Sequence, residues 1–251
     1  GQFMESTKVA IVTAAGKGIG AACAQELAGR GFKVALMSPS GSAVDLAKQL
    51  KGIGINGSVT NRDDLSQLVN LALSTYGRVD VVVNNTGKDG ESIEASGPGY
   101  DPNLTRELID IVDGSWELGF HLYLMNVVRM ARIVTPVFRD LGGGAIVNIS
   151  TFAALEPRLM FPVSSTLRSA LSGYTKLYAD RYARDRIRMN NILPGFVENW
   201  PLADEVRHSI PSARSVKLKE VASTVAFLLS SEAGSITGQN ILVDGGINRS
   251  I

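Results

Sequence analysis

Six short apolar runs rich in β-branched residues recur along the chain, at Val9 to Thr13, Lys33 to Ser38, Val79 to Asn84, Ala145 to Ile149, Arg188 to Leu193 and Asn240 to Val243. They are continuous rather than alternating, so each asks to be buried on both faces. Amphipathic stretches such as Ala21 to Gly29 and Asp63 to Tyr76 lie between them and supply the covering helices. This order predicts an α/β fold in which a doubly wound parallel sheet carries helices on both faces. A length of 251 residues with 45% hydrophobic content is enough for one domain spanning 1–251.

A formal net charge of +1 gives no reason to expect a nucleic-acid or anionic-membrane partner. No apolar run is long enough to span a bilayer and no signal-like segment precedes the first strand, so no membrane association is expected. The one cysteine, Cys23, cannot form an internal disulfide, and its alanine neighbours place it on a packed helix face. A reducing, cytoplasmic location is expected. Residues 1–3, ahead of Met4, look like a cloning remnant. Gly87 to Gly114 is rich in Gly, Pro, Asp and Ser and should lack regular structure. Such a loop is functional about as often as it is a plain surface excursion.

The first apolar run leads into Thr13-Ala-Ala-Gly16-Lys17-Gly18-Ile19-Gly20 and then a helix. A glycine-rich strand-to-helix turn lets backbone approach a pyrophosphate, and the open N–H groups of the helix start attract it. Alone, the cluster fits a tight turn without ligand equally well. Asn84-Asn85-Thr86-Gly87, Asn148-Ile-Ser150, Pro194-Gly195, Thr237-Gly-Gln239 and Val243-Asp-Gly-Gly246 accompany it. Together these motifs resemble those of the short-chain dehydrogenase/reductase family over residues 8–248, with Ala14 in place of its usual first glycine.

The resemblance implies a Rossmann-like fold, a nicotinamide dinucleotide and a small-molecule substrate. It implies that Thr13, Gly16, Lys17, Gly18, Ile19 and Gly20, then Asn85, Thr86 and Gly87, then Pro194, Gly195 and Val197, hold the cofactor. It places Ser58 and Val59 beside the adenine and a substrate lid at 198–217. A homo-oligomer, a tetramer, is also implied, built on the helix after Gly114 and the helix holding Arg168, with interface roles for Leu167, Leu171 and Tyr174.

An acid at the end of the second strand would select NAD through the ribose hydroxyls. This chain has Met37-Ser38-Pro39-Ser40 there, so two hydroxyls and Lys17 can meet a 2′-phosphate. NADP(H) is favoured over NAD(H), unless Ser38 and Ser40 are ordinary turn residues.

The resemblance also locates the catalytic set, and every position departs from the family's pattern. Counting from Pro136, Gly142–Gly144 and Asn148, the usual asparagine falls on Tyr123, the serine on Thr151, the tyrosine on Ser164 and the lysine on Arg168. A serine hydroxyl is a far weaker acid than a phenol, so Ser164 cannot simply substitute. Arg168 can still bind ribose hydroxyls and Thr151 can still orient a substrate oxygen. Tyr123 is the candidate replacement acid, with Arg168 stabilising its phenolate, or it is packing beside the small Ser164. Tyr182 and Arg186 have the right spacing but lie at a helix end, where a solvated face explains them. His121 and His208 lack metal-like spacing, and no metal site is expected. Trp200, Phe152, Met160 and Phe161 suggest a partly apolar substrate pocket.

Three functions follow: an NADP(H)-dependent oxidoreductase on a carbonyl, alcohol or enoyl compound with rearranged catalytic residues; a catalytically degenerate dinucleotide-binding sensor or scaffold; and a partner subunit of an active homologue.

Overall fold

Along β1 (Val9–Thr13), Val9 and Ile11 enter the core on one side of the sheet, while Ala10 and Val12 enter the core on the other. β2 (Lys33–Ser38) repeats this with Ala35 and Met37 against Val34 and Leu36. Two-sided burial of this kind is what the continuous apolar runs require. The structure is a computed structural model and describes residues 7–86 and 107–251.

The seven strands pair in parallel in the order β3-β2-β1-β4-β5-β6-β7, with β3 Ile53–Asn56, β4 Val81–Asn84, β5 Gly144–Ile149, β6 Ile187–Pro194 and β7 Asn240–Val243. One face is covered by α3 (Arg62–Tyr76), α5 (Asn126–Leu141) and α6 (Pro162–Tyr182), which contribute Leu65, Leu68, Met130, Phe138, Leu171 and Tyr178 to its core. The opposite face is covered by α1 (Gly18–Gly29), α2 (Ser42–Gln49) and α8 (Leu218–Leu229) through Cys23, Leu27, Leu46, Val221 and Val225. Two short helices, α4 (Asp113–Gly119) and α7 (Asp204–Ser209), complete the order among the described residues. None of the described helices is long and apolar enough to cross a membrane.

Local chemistry sets several boundaries. Asn61 caps α3, its Oδ1 accepting from the N–H groups of Asp63 at 2.9 Å and Asp64 at 3.2 Å. These two carboxylates also complement the positive helix start. At the N-terminal ends of the central strands, Asp80 accepts from Val9 N at 2.8 Å and pairs with Arg78 at 2.6 Å, tying the entries of β1 and β4 together.

Several expectations change. β3 is a strand the apolar runs did not include: it is an edge strand, its residues are half-buried or exposed, and Gly54 breaks the apolar run of its sequence. The run expected from Val79 begins pairing at Val81. Within the segment expected to be irregular, 87–106 lies outside the described residues, but a 3₁₀ turn at Leu108–Asp110 and the start of α4 at Asp113 are regular. Tyr182 is partly buried, not solvated, with its ring 4.5 Å from that of Tyr178 and 5.1 Å from the Arg139 guanidinium. Leu171, expected at an interface, is 1% exposed and belongs to the chain's own core.

Cys23 is fully buried under α1, and burial pushes its thiol up to about 12, with the charge of Glu26 adding to the rise. The thiolate is the reactive form, so the folded protein is expected to resist iodoacetamide at about pH 8 and to take up one label per chain on unfolding. Mass spectrometry of the labelled protein checks this, and rapid native labelling would contradict it.

Candidate nucleotide and active site

The sheet order reverses between β1 and β4, which leaves a crevice above their C-terminal ends. A cavity of about 370 Å³ opens there, lined by Ala14, Gly16–Ile19, Ser38–Ser40, Ser42, Asn85, Thr86 and Asn199. Its floor is the turn between β1 and α1. Gly18 adopts φ +58°, a left-handed conformation that suits glycine. A Cβ on Gly20 would lie 2.2 Å from the Ala14 carbonyl oxygen, so the helix start closes tightly onto the strand. Lys17 caps α1 in extended conformation without any side-chain capping bond. The first N–H groups of α1 therefore lack a side-chain cap and stay available for an anion.

Two expected binding residues work inside the fold and do not line the cavity. Thr13 is fully buried, accepts from Asn85 N at 2.9 Å and lies 3.0 Å from the Asn85 carbonyl. Gly20 is required by the close approach to Ala14. Ser38 lines the cavity and also shapes the turn: its hydroxyl donates to the Ser40 carbonyl at 2.6 Å and accepts from Ala43 N at 3.0 Å. Ser40 and Ser42, whose hydroxyls are 2.8 Å apart, line the wall beside it. Ser42 was missed, although the Ser38, Ser40, Ser42 spacing at a helix start could have signalled it. Asn199 was also missed as a lining residue, because it arrives from the distant loop after β6.

Ser58 and Val59 lie outside the cavity lining; Ser58 N donates to Asp64 at 2.9 Å and its hydroxyl meets Thr60 at 2.8 Å. Gly87 lies outside the described residues. Pro194 ends β6, Gly195 N donates to the Val243 carbonyl, and Val197 bridges Val216; none lines the cavity.

Of the four positions counted as catalytic, Tyr123, Ser164 and Arg168 come together near the ends of β4 and β5. Arg168 Nε donates to Ser164 Oγ at 3.1 Å, one Nη donates to the Ile149 carbonyl, and the other lies 3.5 Å from Thr86 Oγ1. Its guanidinium sits over the Tyr123 ring, 4.4 Å from the centroid. Burial pulls Arg168 below its ordinary value, opposed by Tyr123, yet a guanidinium stays charged in proteins. Burial pushes the Tyr123 phenol up and outweighs the lowering by Arg168. The net shift is upward, so Tyr123 is protonated at neutral pH.

Tyr123 stands in a π-helical turn, Phe120–Met125, joining α4 to α5. Thr151 caps a 3₁₀ turn at Phe152–Ala154, accepting from Ala153 N at 3.4 Å. Phe152 is 2% exposed and packs with Phe161 and Phe196 in a small cluster, so these two expected pocket residues are chiefly core. Met160 and Trp200 remain largely exposed. Among the described residues, no group of three or more His, Cys, Asp or Glu could hold a metal.

The family model for enoyl-(acyl carrier protein) reductase matches residues 13–248. The chain is 29% identical over 259 residues to the dehydrogenase/reductase SDR family member 4 of Caenorhabditis elegans, covering 96% of this chain and 95% of that protein. The 3-ketoacyl-(acyl-carrier-protein) reductase of Brucella melitensis, solved in complex with NADH, superposes with a TM-score of 0.85 at 26% identity, covering 96% of this chain and 98% of that one. L-sorbose reductase from Gluconobacter frateurii, complexed with NADPH and L-sorbose, gives 0.81 at 25% identity over 98% of both chains.

The turn geometry generates a direct test. Gly20→Ala must displace backbone, not merely a side-chain tip, and is expected to cost about 1–3 kcal/mol. Chemical denaturation reads the loss, and an unchanged midpoint would show that the turn relaxes freely.

Proposed function

The chain belongs to the short-chain dehydrogenase/reductase family of oxidoreductases, and on that premise we propose that it is an NADP(H)-dependent oxidoreductase of a carbonyl, alcohol or enoyl small molecule. The observation that carries the cofactor choice is the cavity, which Lys17, Ser40 and Ser42 all line with no carboxylate among the lining residues. A 2′-phosphate finds donors there and no repelling acid. The uncapped start of α1 and the close glycine turn suit a pyrophosphate, so the residues present fit a nicotinamide dinucleotide. When bound, that group supplies or accepts hydride.

The chain's own residues do the rest. Arg168 keeps a fixed positive charge at the ends of β4 and β5 and, on this reading, offers its remaining N–H bonds to ribose hydroxyls. Ser164 accepts from Arg168 Nε, which turns its own O–H toward another acceptor. Thr151 orients a substrate oxygen, and Tyr123, protonated at neutral pH, is the proposed proton donor. Residues 198–217 serve as the lid, with Asn199 already at the cavity wall. The assembly is a homotetramer, and a buried, unreactive Cys23 fits a cytoplasmic setting. A second reading, a dinucleotide sensor or partner subunit without turnover, is favoured by the stacking of Arg168 on Tyr123, which occupies both groups.

NADPH is expected to bind more tightly than NADH by calorimetry, with about 1.5–3 kcal/mol for each charge-assisted phosphate contact. Equal affinities would refute the proposed selection. Tyr123→Phe should lower turnover about 10²–10⁴-fold with NADPH affinity nearly unchanged, whereas Arg168→Ala should weaken both. Full activity in Tyr123→Phe would make Tyr123 a packing residue, and Ser164→Tyr with Arg168→Lys gaining ketone reduction in an otherwise inactive chain would favour the second reading. Light scattering should give the mass of four chains; a monomer would refute the assembly.

A further inference from the structure

Four asparagines stand in register across four adjacent strands: Asn84 on β4 opposite Asn148 on β5, opposite Asn191 on β6, opposite Asn240 on β7. Their side chains are linked in one line. Asn84 Nδ2 donates to Asn148 Oδ1 at 2.9 Å, Asn148 Nδ2 to Asn191 Oδ1 at 3.0 Å, and Asn191 Nδ2 to Asn240 Oδ1 at 3.0 Å. The first three are at most 2% exposed. Each buried amide costs free energy unless paired, and aliphatic residues would fill such a sheet face without that demand. A polar ladder there specifies position more than it adds stability.

What it positions is visible at both ends. On the helix side, Thr175 Oγ1 of α6 donates to Asn191 Oδ1 at 3.1 Å, and the Ser172 hydroxyl lies 3.3 Å from Asn240 Oδ1 and 3.4 Å from the Arg168 carbonyl. On the sheet side, Ile149, whose carbonyl accepts from the Arg168 guanidinium, directly follows Asn148, and Thr86 lies two residues beyond Asn84. The three elements that meet at Arg168 are thus each fastened to the same line of amides.

We propose that Asn84, Asn148, Asn191 and Asn240 are positioning residues for Arg168, setting the register of α6 on the sheet and so the place of the guanidinium. Its effect on cofactor affinity rests on the proposed role of Arg168; the placement of α6 does not.

Asn240 is the member to alter, because it is half-buried on an edge strand and its Oδ1 alone makes the ladder bonds. Asn240→Val removes the acceptor and suits a strand, while Asn240→Asp keeps an acceptor oxygen and should behave as wild type. Asn191→Leu strands several buried partners and is expected to fail in folding. In cofactor-free protein, Asn240→Val should raise hydrogen exchange in peptides covering 164–172 about 10-fold or more, with the α1 peptides unchanged. NADPH dissociation constants should rise about 5–10-fold in Asn240→Val, yet by less than about 2-fold when Arg168→Ala is already present, the signature of one shared path.

Wild-type exchange over 164–172 in a destabilised Asn240→Val would overturn the proposal, as would affinity losses that multiply in the double variant or a failure of Asn240→Asp to restore either readout. A wild-type chain that binds neither NADPH nor NADH would sink the proposed function, and the exchange measurement would then decide on the ladder by itself.

Discussion

Thr13 and Asn85 lock the point where the sheet changes direction. One buried hydroxyl accepts from the Asn85 backbone N–H and lies within donating distance of its carbonyl, so the end of β1 cannot separate from the turn after β4. Strands whose helices leave to opposite faces open a crevice only if their ends stay level. The cavity, the start of α1 and the Asn85-Thr86 wall all inherit their spacing from this contact. Asn85 Nδ2 extends it by donating to the Ala14 carbonyl at 3.2 Å, the same oxygen that excludes a side chain at position 20.

Beyond that crevice, a buried cation that stays charged organises the ends of β4 and β5. Arg168 brings a flat, permanently charged group that can hydrogen-bond in its plane while stacking on Tyr123 through its face. The two groups are thereby different in kind: a fixed cation lies over the face of a phenol that burial keeps protonated. Burial governs the phenol more than the cation does, raising its pKa against the lowering by Arg168.

Continuous apolar runs made the buried strands legible, since two-sided burial leaves a compositional mark on the residues themselves. β3 left little mark, being an edge strand with half-exposed Ile53, Gly54 and Ile55. Glycine spacing located the cavity floor, but a sequence does not say where a hydroxyl's proton goes. Ser38 lines the cavity but its hydroxyl also braces the turn, and Ser42 adds to the same wall. Asn199 and the asparagine ladder were hidden for another reason. Both depend on register and on contacts between distant segments, and Asn84, Asn148, Asn191 and Asn240 share no local pattern that would announce a common row.

The π-helical turn at Phe120–Met125 carries one further consequence. A π turn accommodates an extra residue within an otherwise α-helical path, so the direction of Tyr123 is a matter of helical phase as well as packing. Losing one residue from this turn would rotate what precedes it by about 100° relative to α5, carrying the phenol away from Arg168 while leaving the composition of the helix almost intact. For this chain, length within six residues governs the Tyr123–Arg168 contact as strictly as side-chain identity does, and a deletion there is a sharper change to it than most substitutions.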